Sequence, residues 1–494
     1  MGKDIYRTRL NGQMDKKVLH FLSSLKEDLW IAEEDIIGTE AHNIMLFEQG
    51  FLLKNEVKQI LMSLQDIKEK FQRNEIELDE SFEDIHPFIE KYVIDDKGIE
   101  IGGKIHTGRS RNDQVSVDIR LKIRSELNDL SEDLFKLLEA LVELSKNSIE
   151  IFVPLYTHLQ RGQLGVFAHY INNYAFQIIR SLKRIEEVYS RVNENPLGAC
   201  AIGGTSINIS RKRTAELLGF EGVIENSIDA ISSRDYIIET LGCLSLISTQ
   251  FSRIAEDLMI WSTKEFGFIK LDDHYCSVSS VMPQKRNPDT LELSRGKISK
   301  IISNQYAAIM ITKAIPSGYF RDFQELKMLL KNSFELLLSI IAMFTGIFQT
   351  LQINKEKMID SVNESNVLAL DLAEFLVQEY NLPFRQSHEI VAILVKKSGK
   401  ANNLLDKISI EKEILKVTGN NISISENSLN SLSNLEKCLE KRMSQGSPSK
   451  TEVEKSINLI EEAKDKLYET FLSRVEKVKK SNAQRMKLTK KLIM

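Results

Sequence analysis

Residues 119–144 read IRLKIRSELNDLSEDLFKLLEALVEL, and this stretch decides the fold class. Its apolar side chains recur at steps of three or four residues throughout, which places them on one face of an α-helix. The positions that carry this pattern are Ile119, Ile123, Leu127, Leu130, Leu134, Leu137, Leu141 and Leu144. At about 1.5 Å per residue, helices of this length are rods of roughly 40–50 Å. The stretch therefore predicts a long-helix bundle.

Four more segments show the same spacing, at 167–192, 237–261, about 288–313 and about 321–351. No convincing series of strands alternates with them. Rods of this length bury little surface if they stay side by side within one subunit. We therefore expect an oligomer in which the bundles of several subunits pack together.

Shorter helical patterns flank these rods on both sides. We predict an all-α fold of three helical domains. The first covers 1–105, the second is a central long-helix bundle with the catalytic motifs over 106–360, and the third covers 361–494 with an extended tail. The Asn- and Ser-rich stretch 402–433 is expected to be loop, and the charged tail from 451 a solvated helix.

Composition excludes several classes of protein. The 494 residues are 42% apolar and carry a formal net charge of −4, which argues against a general nucleic-acid binder. The first ten residues hold charges and no apolar stretch, so no signal peptide is visible. The most apolar run, 334–348, is shorter than the roughly 20 residues that a membrane span needs, and a buried core helix is expected there. The four cysteines have no metal-ligand spacing, which favours reduced thiols in a cytoplasmic protein.

Two polar segments lie next to long helices. The first, GGKIHTGRSRNDQ at 102–114, joins glycines and arginines to a helix start, which suits a carboxylate or phosphate. The alternative is an elaborate helix cap, with Asn112 or Asp113 capping and the arginines solvated. The second, IPSGYFRDFQELK at 315–327, is either the polar wall of a pocket or an ordinary helix–helix turn.

Two further segments carry candidate proton-transfer groups. YTHLQRGQ at 156–163 contains His158 beside a threonine and glutamines, and SVSSVMPQKRNP at 277–288 is a loop because its prolines exclude regular helix. A serine there acts in proton transfer only when a cation or a group of N–H donors activates it, and Lys285 or Arg286 supplies such a cation. A structural histidine and an ordinary polar loop are the competing interpretations.

Together these segments resemble the fumarase/aspartase superfamily. Residues 279–288, SSVMPQKRNP, look like its SSxMPxKxNP motif. Within it, Gln284 and HTGRSRNDQV at 106–115 are closest to the argininosuccinate lyase family. The resemblance implies a homotetramer of arginine biosynthesis that eliminates fumarate from argininosuccinate to give arginine. It also implies that each active site gathers segments from three subunits. No metal or organic cofactor, nucleic acid or membrane is expected.

The resemblance also implies roles for individual residues. Ser279 and His158 form the proton-transfer pair, with the direction of transfer left open. Glu292 holds the tautomer of His158, and Lys285 stabilises the carbanion and lowers the pKa of Ser279. The substrate-binding set is Ser24, Asp84, Ser110, Arg111, Asn112, Thr157, Gln160, Arg234, Asn287, Tyr319, Gln324 and Lys327.

The sequence departs from the family pattern at a few places. Val278 stands where the family usually has glycine, which permits loop conformations that valine adopts only at a cost, so loop closure is expected to differ. The family's GGRF is replaced by YRTRL at 6–10, and the spacing after Ser24 is short. Two alternatives remain, another fumarate-releasing lyase such as adenylosuccinate lyase and a non-catalytic crystallin-like paralogue. Gln284 argues against the first, and the presence of all four catalytic residues argues against the second.

Overall fold

The computed structural model describes residues 14–398 and 404–494, so the departure at 6–10 lies outside the described residues. The chain begins with short and medium helices. They are α1 (Lys16–Leu22), α2 (Ala32–Glu48), α3 (Lys54–Gln72), α4 (Ile85–Lys97) and α5 (Ile99–Gly102). The apolar faces of α2, α3 and α4 meet in one core, which includes Ile44, Ile60 and Ile89.

Five long helices form the centre of the molecule, as the periodicity predicts. In chain order this region contains α6 (Arg111–Lys146), α7 (Phe167–Val192), α8 (Arg211–Leu218), α9 (Ser227–Ser232), α10 (Asp235–Ser262), α11 (Asp289–Thr312), α12 (Leu326–Thr350) and α13 (Lys355–Asn363). The long members α6, α7, α10, α11 and α12 pack on one another around a second core. Each fully buried leucine or isoleucine there contributes about 1.5–3 kcal/mol of transfer free energy. The all-α prediction is confirmed, while the domain boundaries at 105 and 360 stay a prediction.

The helix α6 begins at a capping box rather than at the caps that the sequence suggests. The N-cap is Ser110, whose hydroxyl accepts from the N–H of Asn112 at 3.4 Å. The N–H of Ser110 in turn donates to Asp113 Oδ1 at 2.9 Å. The expectation that Asn112 or Asp113 caps the helix is therefore wrong, because the reciprocal pair places the cap one turn before Asp113.

Short strands join the rods in the described part of the chain. An antiparallel hairpin of β1 (Phe152–Thr157) and β2 (Gln160–Val166) precedes α7. The remaining strands are two residues each: β3 (Glu194–Asn195), β4 (Gly222–Val223), β5 (Ile269–Lys270), β6 (Ser277–Val278), β7 (Arg286–Asn287) and β8 (Gln352–Ile353). The strands β6 and β7 pair antiparallel and close the loop 279–285. The hairpin escapes a sequence-based assignment because Pro154 and two glycines interrupt its alternation.

The C-terminal region contains α14 (Ala369–Tyr380), α15 (Phe384–Ser398), α16 (Lys407–Thr418), α17 (Glu426–Ser433), α18 (Leu435–Glu440) and α19 (Lys450–Ile493). The expectation of loop over 402–433 is wrong, since α16 and α17 lie within it; residues 402 and 403 lie outside the described residues. Asp406 and Ser425 cap these helices. Their apolar residues, such as Ile410 and Leu429, belong to a third core. The Asn and Ser residues, whose number suggested a loop, cap these helices or face outward.

The tail helix α19 is 44 residues long and returns along the molecule. Its inner face buries Val453, Ile457 and Phe471 against the central core and Leu492 against the N-terminal core. Arg485 is buried and pairs with Glu40 of α2 at 3.2 Å. The expectation of a solvated helix is therefore wrong for this face. Its apolar side chains form a stripe along the helix, and this stripe packs against the central and N-terminal cores.

One stretch, Arg321–Thr350, is long and apolar enough to cross a membrane, with mean hydropathy 1.5. Length and composition alone are weak evidence, since core helices meet the same criterion. Its inner side chains, including Leu330, Phe334 and Phe344, are buried in the central core. This packing is what the sequence predicts for 334–348.

Candidate active site

A narrow polar cleft lies where the N-terminal helices meet the N-terminal ends of α6, α10 and α12. Seven of the predicted substrate-binding residues line it together: Ser24, Asp84, Arg111, Arg234, Tyr319, Gln324 and Lys327. His86 and the apolar side chains of Val115, Ile119 and Phe323 complete the wall. The structure thus brings together residues that are up to 303 positions apart in the sequence.

One end of the cleft is a buried group of Lys327, Ser24 and Asp28. The Lys327 ammonium, in the first turn of α12, donates to Asp28 and also to Ser24 Oγ at 3.3 Å. The Ser24 hydroxyl donates to Asp28 Oδ2 at 2.8 Å, and the N–H of Ile85 donates to the same oxygen at 3.3 Å. Burial lowers the pKa of Lys327 to about 7. Asp28 fixes the position of the lysine, and the sequence interpretation missed it although it lies one helical turn after Ser24.

Arg111 and Asp84 form a second polar pair at the cleft. Arg111 Nη1 lies 3.1 Å from Asp84 Oδ2, at the first position of α6. Asp84 is the N-cap of α4, where its side chain accepts from the N–H of His86 at 3.2 Å. Two helix starts therefore meet here. The positive ends of their helix dipoles favour an anionic ligand.

Arg234 is the best-placed group for a carboxylate. Its side chain is 3% exposed and its guanidinium stacks over the Phe323 ring at 4.6 Å. Nη1 donates to the carbonyls of Ile231 and Ser233, whereas Nε and Nη2 have no partner among the described residues. A buried guanidinium edge of this kind suits the bidentate recognition of a carboxylate. Burial raises the pKa of nearby Tyr319, which keeps its phenol neutral as a donor.

The segment 106–114 divides between the cleft and the interior. Arg111 faces the cleft, and Asn112 Nδ2 donates to the carbonyl of Ala201 at 2.8 Å. Arg109, Asp113 and Gln114 point inward instead. Asp113 accepts from the N–H groups of Gly198 and Cys200 at 2.8 and 2.9 Å, and burial raises its pKa to about 6. The segment is therefore a helix cap, with Ser110 as the capping residue, and its Arg111 also lines the cleft. Binding of an anion by this segment stays a prediction.

The loop 279–285 projects from the β6–β7 ladder. The N–H groups of Val281 and Met282 donate to Ser279 Oγ at 3.3 and 3.0 Å. Two donors aimed at one hydroxyl oxygen stabilise its ionised form. Val278 is 76% exposed and its backbone is not left-handed, so valine fits the ladder without the freedom of glycine.

The hairpin tip presents His158 to solvent. His158 and Leu159 have left-handed backbones, with φ of 54° and 56°. A non-glycine residue in this region costs of order 1–3 kcal/mol, and such strain clusters at functional sites. Thr157 and Gln160 flank the tip, and Gln160 lines a separate cavity with Tyr156 and Arg161.

The predicted catalytic residues do not meet in one subunit. None of His158, Ser279, Lys285 and Glu292 lines the cleft, and neither do Ser110, Asn112, Thr157, Gln160 and Asn287. Glu292, in the first turn of α11, is exposed. Within the described ranges, the side chains of His158, Lys285 and Glu292 form no hydrogen bond or ion pair, so the expected His158–Glu292 contact is not made inside one chain.

Comparisons with known proteins agree with these features. The family model described as "Lyase" matches residues 8–303, and the one described as "Argininosuccinate lyase C-terminal" matches residues 366–444. The argininosuccinate lyase of Nitrosopumilus maritimus is 43% identical over 82% of this chain and 82% of its own. That of Methanocaldococcus jannaschii is 38% identical over 96% of this chain and 97% of its own.

Solved structures give the same architecture. An EDDS lyase variant with bound fumarate superposes with a TM-score of 0.86 at 26% identity, covering 100% of this chain and 99% of its own. A class II fumarase from Schistosoma mansoni superposes with a TM-score of 0.70 at 16% identity, covering 82% of this chain and 95% of its own. At that identity the fumarase supports the fold alone.

Proposed function

The chain belongs to the argininosuccinate lyase family, and we infer that it splits argininosuccinate into arginine and fumarate. It is a carbon–nitrogen lyase that acts on a small molecule. The observation that carries this conclusion at the level of the site is the cleft itself. Arg234 offers an unpartnered guanidinium edge there, and Arg111 and Lys327 add two more cationic groups beside it. A substrate with several carboxylates requires this kind of wall.

The chemistry requires a proton to leave the carbon next to a carboxylate of the succinate half. The C–N bond then breaks, its electron pair leaves with the guanidino nitrogen, and that nitrogen receives a proton. The negative charge that develops on the carboxylate must be stabilised by cations or N–H donors. We assign this stabilisation to Lys285, with Arg111, Asn112, Thr157 and Asn287 holding the carboxylates.

The pair Ser279 and His158 transfers the two protons in this proposal, with Glu292 holding the imidazole. The two N–H groups on Ser279 Oγ support Ser279 as the base, because they stabilise its alkoxide. Ser24, Asp84, Tyr319, Gln324 and Lys327 hold the rest of the substrate. Ser110 caps the helix that presents Arg111, and Gln160 flanks the histidine.

The active enzyme is proposed to be a cytoplasmic homotetramer with sites shared between subunits. Two observations support this assembly. Three of the catalytic side chains, those of His158, Lys285 and Glu292, are exposed and form no hydrogen bond or ion pair among the described residues, as expected of segments that complete a neighbour's cleft. The outer faces of the long helices also expose large apolar residues, among them Leu246, Leu293, Tyr306 and Met310. Faces of this kind pack against other copies in oligomers.

A substrate panel tests the activity. Purified protein is expected to release fumarate, followed by its ultraviolet absorbance, from argininosuccinate and not from adenylosuccinate or ethylenediamine disuccinate. Arg234→Lys is expected to lower kcat/KM by about 10–100-fold, because lysine cannot form the two-donor fork. Arg295→Lys, at an exposed ion pair with Glu256, is the matched control. Fumarate from either other substrate, or none from argininosuccinate, would contradict the proposal.

A further inference from the structure

A second cavity, of about 360 Å³, lies beside the hairpin that carries His158 and shares no lining residue with the cleft. Its walls come from three parts of the chain, namely the hairpin, the segment 265–268 after α10, and helix α13. Binding sites for small molecules commonly have volumes of about 300–1,000 Å³. The cavity is therefore large enough for a molecule of the size of an amino acid.

One wall of the cavity is aromatic. Tyr156 of β1 packs against Phe266 and Phe268, with ring centroids 5.6 and 6.4 Å apart, and the two phenylalanines meet edge to face at 5.5 Å. The faces of such rings attract cations, and a planar guanidinium stacks on them well. This wall therefore suits the flat cationic end of a ligand.

The cavity also contains a buried hydroxyl without a partner. Ser361 of α13 is 4% exposed and lines the cavity, and its Oγ forms no hydrogen bond among the described residues. A serine inside a helix commonly bonds to the carbonyl four residues earlier, and Ser361 does not. Because an unpartnered buried hydroxyl costs free energy, a ligand that bonds to it gains affinity.

Charged side chains of both signs complete the lining. Glu265 and Lys357 are exposed, and within the described ranges their side chains form neither a hydrogen bond nor an ion pair. Arg161 and Glu364 lie 3.9 Å apart in a loose, exposed ion pair. Pairs of this kind contribute little to stability, so a ligand replaces one at small cost. A molecule with one carboxylate and one cation therefore finds a counter-charge for each.

These features together favour one class of ligand. A dicarboxylate would place negative charge next to Glu265 and Glu364, and an apolar molecule would leave the Ser361 hydroxyl unpaired. A zwitterionic amino acid matches both signs of charge. The aromatic wall further favours a long side chain that ends in a planar cation.

We propose that this cavity binds a free α-amino acid whose extended side chain ends in a guanidinium, of which L-arginine is the simplest. Its carboxylate pairs with Lys357, and its guanidinium stacks on the aromatic wall beside Glu265. The ligand also contacts the hairpin next to His158, since Leu159 and Gln160 line the cavity. The binding does not depend on which substrate the enzyme cleaves, whereas the identity of the ligand with a reaction product rests on the proposed function.

Calorimetric titration of the full-length protein with L-arginine, without substrate, tests the proposal. One arginine per chain is expected to bind in a component that depends on the cavity. Lys357→Met and Glu265→Gln should each weaken this component about tenfold or more, because each removes one charge-assisted hydrogen bond. Both side chains are exposed, so the fold tolerates their replacement. Lys355→Met, on the same helix and outside the cavity, is the matched control and should bind as the wild type does.

Two analogues of arginine separate the contributions of its charges. L-Citrulline keeps the shape of the side chain but lacks the cation, and agmatine keeps the cation but lacks the carboxylate. Each is expected to bind about tenfold or more weakly than L-arginine. Citrulline that binds as tightly as arginine would contradict the stacked guanidinium.

Two results of the titration would overturn the site itself. Arginine binding that neither Lys357→Met nor Glu265→Gln weakens would place the ligand in the catalytic cleft. Absence of any binding would show that the cavity is closed to the ligand, as when a neighbouring subunit fills it. Fumarate release is measured separately, so an inactive protein that binds arginine in the cavity would contradict the proposed function and support the site.

Discussion

The polar side chains of the cleft are paired differently from those of two segments outside it. These two exposed segments are the hairpin tip at His158 and the loop 279–285. In the cleft, the Lys327–Asp28 pair and the Arg111–Asp84 pair are complete within one chain. On the exposed segments, His158 and Lys285 make no side-chain hydrogen bond or ion pair in the described ranges. One chain therefore builds the wall of the cleft by itself, whereas the groups proposed for proton transfer lie outside that cleft.

Energetics explain this division. Burial of the Lys327 ammonium costs several kcal/mol in desolvation, and the Asp28 carboxylate offsets this cost inside the chain. An exposed histidine or lysine has no such need and stays available for a partner surface. The same difference predicts that changes in the exposed segments affect turnover and leave the fold unchanged, whereas changes in the cleft region affect both.

The largest expected effect is at the exposed loop. Ser279→Ala is expected to lower kcat by about 10²–10⁴-fold, the usual contribution of a positioned proton-transfer group. Its Tm and oligomeric state should stay unchanged, since the hydroxyl accepts only two local N–H bonds. Fumarate release and size-exclusion chromatography measure the two effects. Ser280→Ala, one residue along the same loop, is the control and should lose far less activity.

A mixing experiment tests whether the exposed segments serve a neighbouring chain. His158→Asn and Ser279→Ala proteins, each inactive alone, are unfolded, combined in equal amounts and refolded. If the two residues of one site come from different subunits, roughly a quarter of the sites regain both groups by random assembly, and activity returns in proportion. Activity that stays at the level of the separate variants would show that both residues serve the same site from one chain.

The smallest expected effect belongs to the interior side of the cleft. Burial raises the pKa of Asp113 from 3.8 to about 6, so the folded protein holds this proton more tightly than the unfolded chain. Ionisation therefore costs stability as pH rises from about 4 to 6, and the cost is fully present above that range. Asp113→Asn does not titrate.

Wild-type protein is accordingly expected to lose stability relative to Asp113→Asn between pH 4 and 7, by on the order of 1–3 kcal/mol. Urea unfolding of both proteins at several pH values measures the difference. A difference that does not change with pH would contradict the raised pKa.

The sequence was informative where the signal was local. The spacing of Leu127, Leu134 and Leu141 is enough to predict α6, and the prolines of 277–288 are enough to exclude helix there. The motif at 106–114 led to the cleft but not to the inward position of Arg109. The sequence misled at 402–433, where composition suggested loop although Ile410 and Leu429 belong to packed helices. It also missed Asp28 and left His86 without a role, because their importance lies in contacts with distant helices.

By itself, the sequence determined the long helices, the all-α class and the chemical types of residue that interrupt the rods. Only the tertiary structure decided that Arg234, Arg111 and Lys327 share one cleft, that Ser279 and His158 lie outside it, and that α19 packs against the central and N-terminal cores. The physical reason is the range of the interactions. Helical periodicity is set by neighbours three or four residues apart. A site depends on contacts between helices that are distant in the sequence, and no local pattern predicts those contacts.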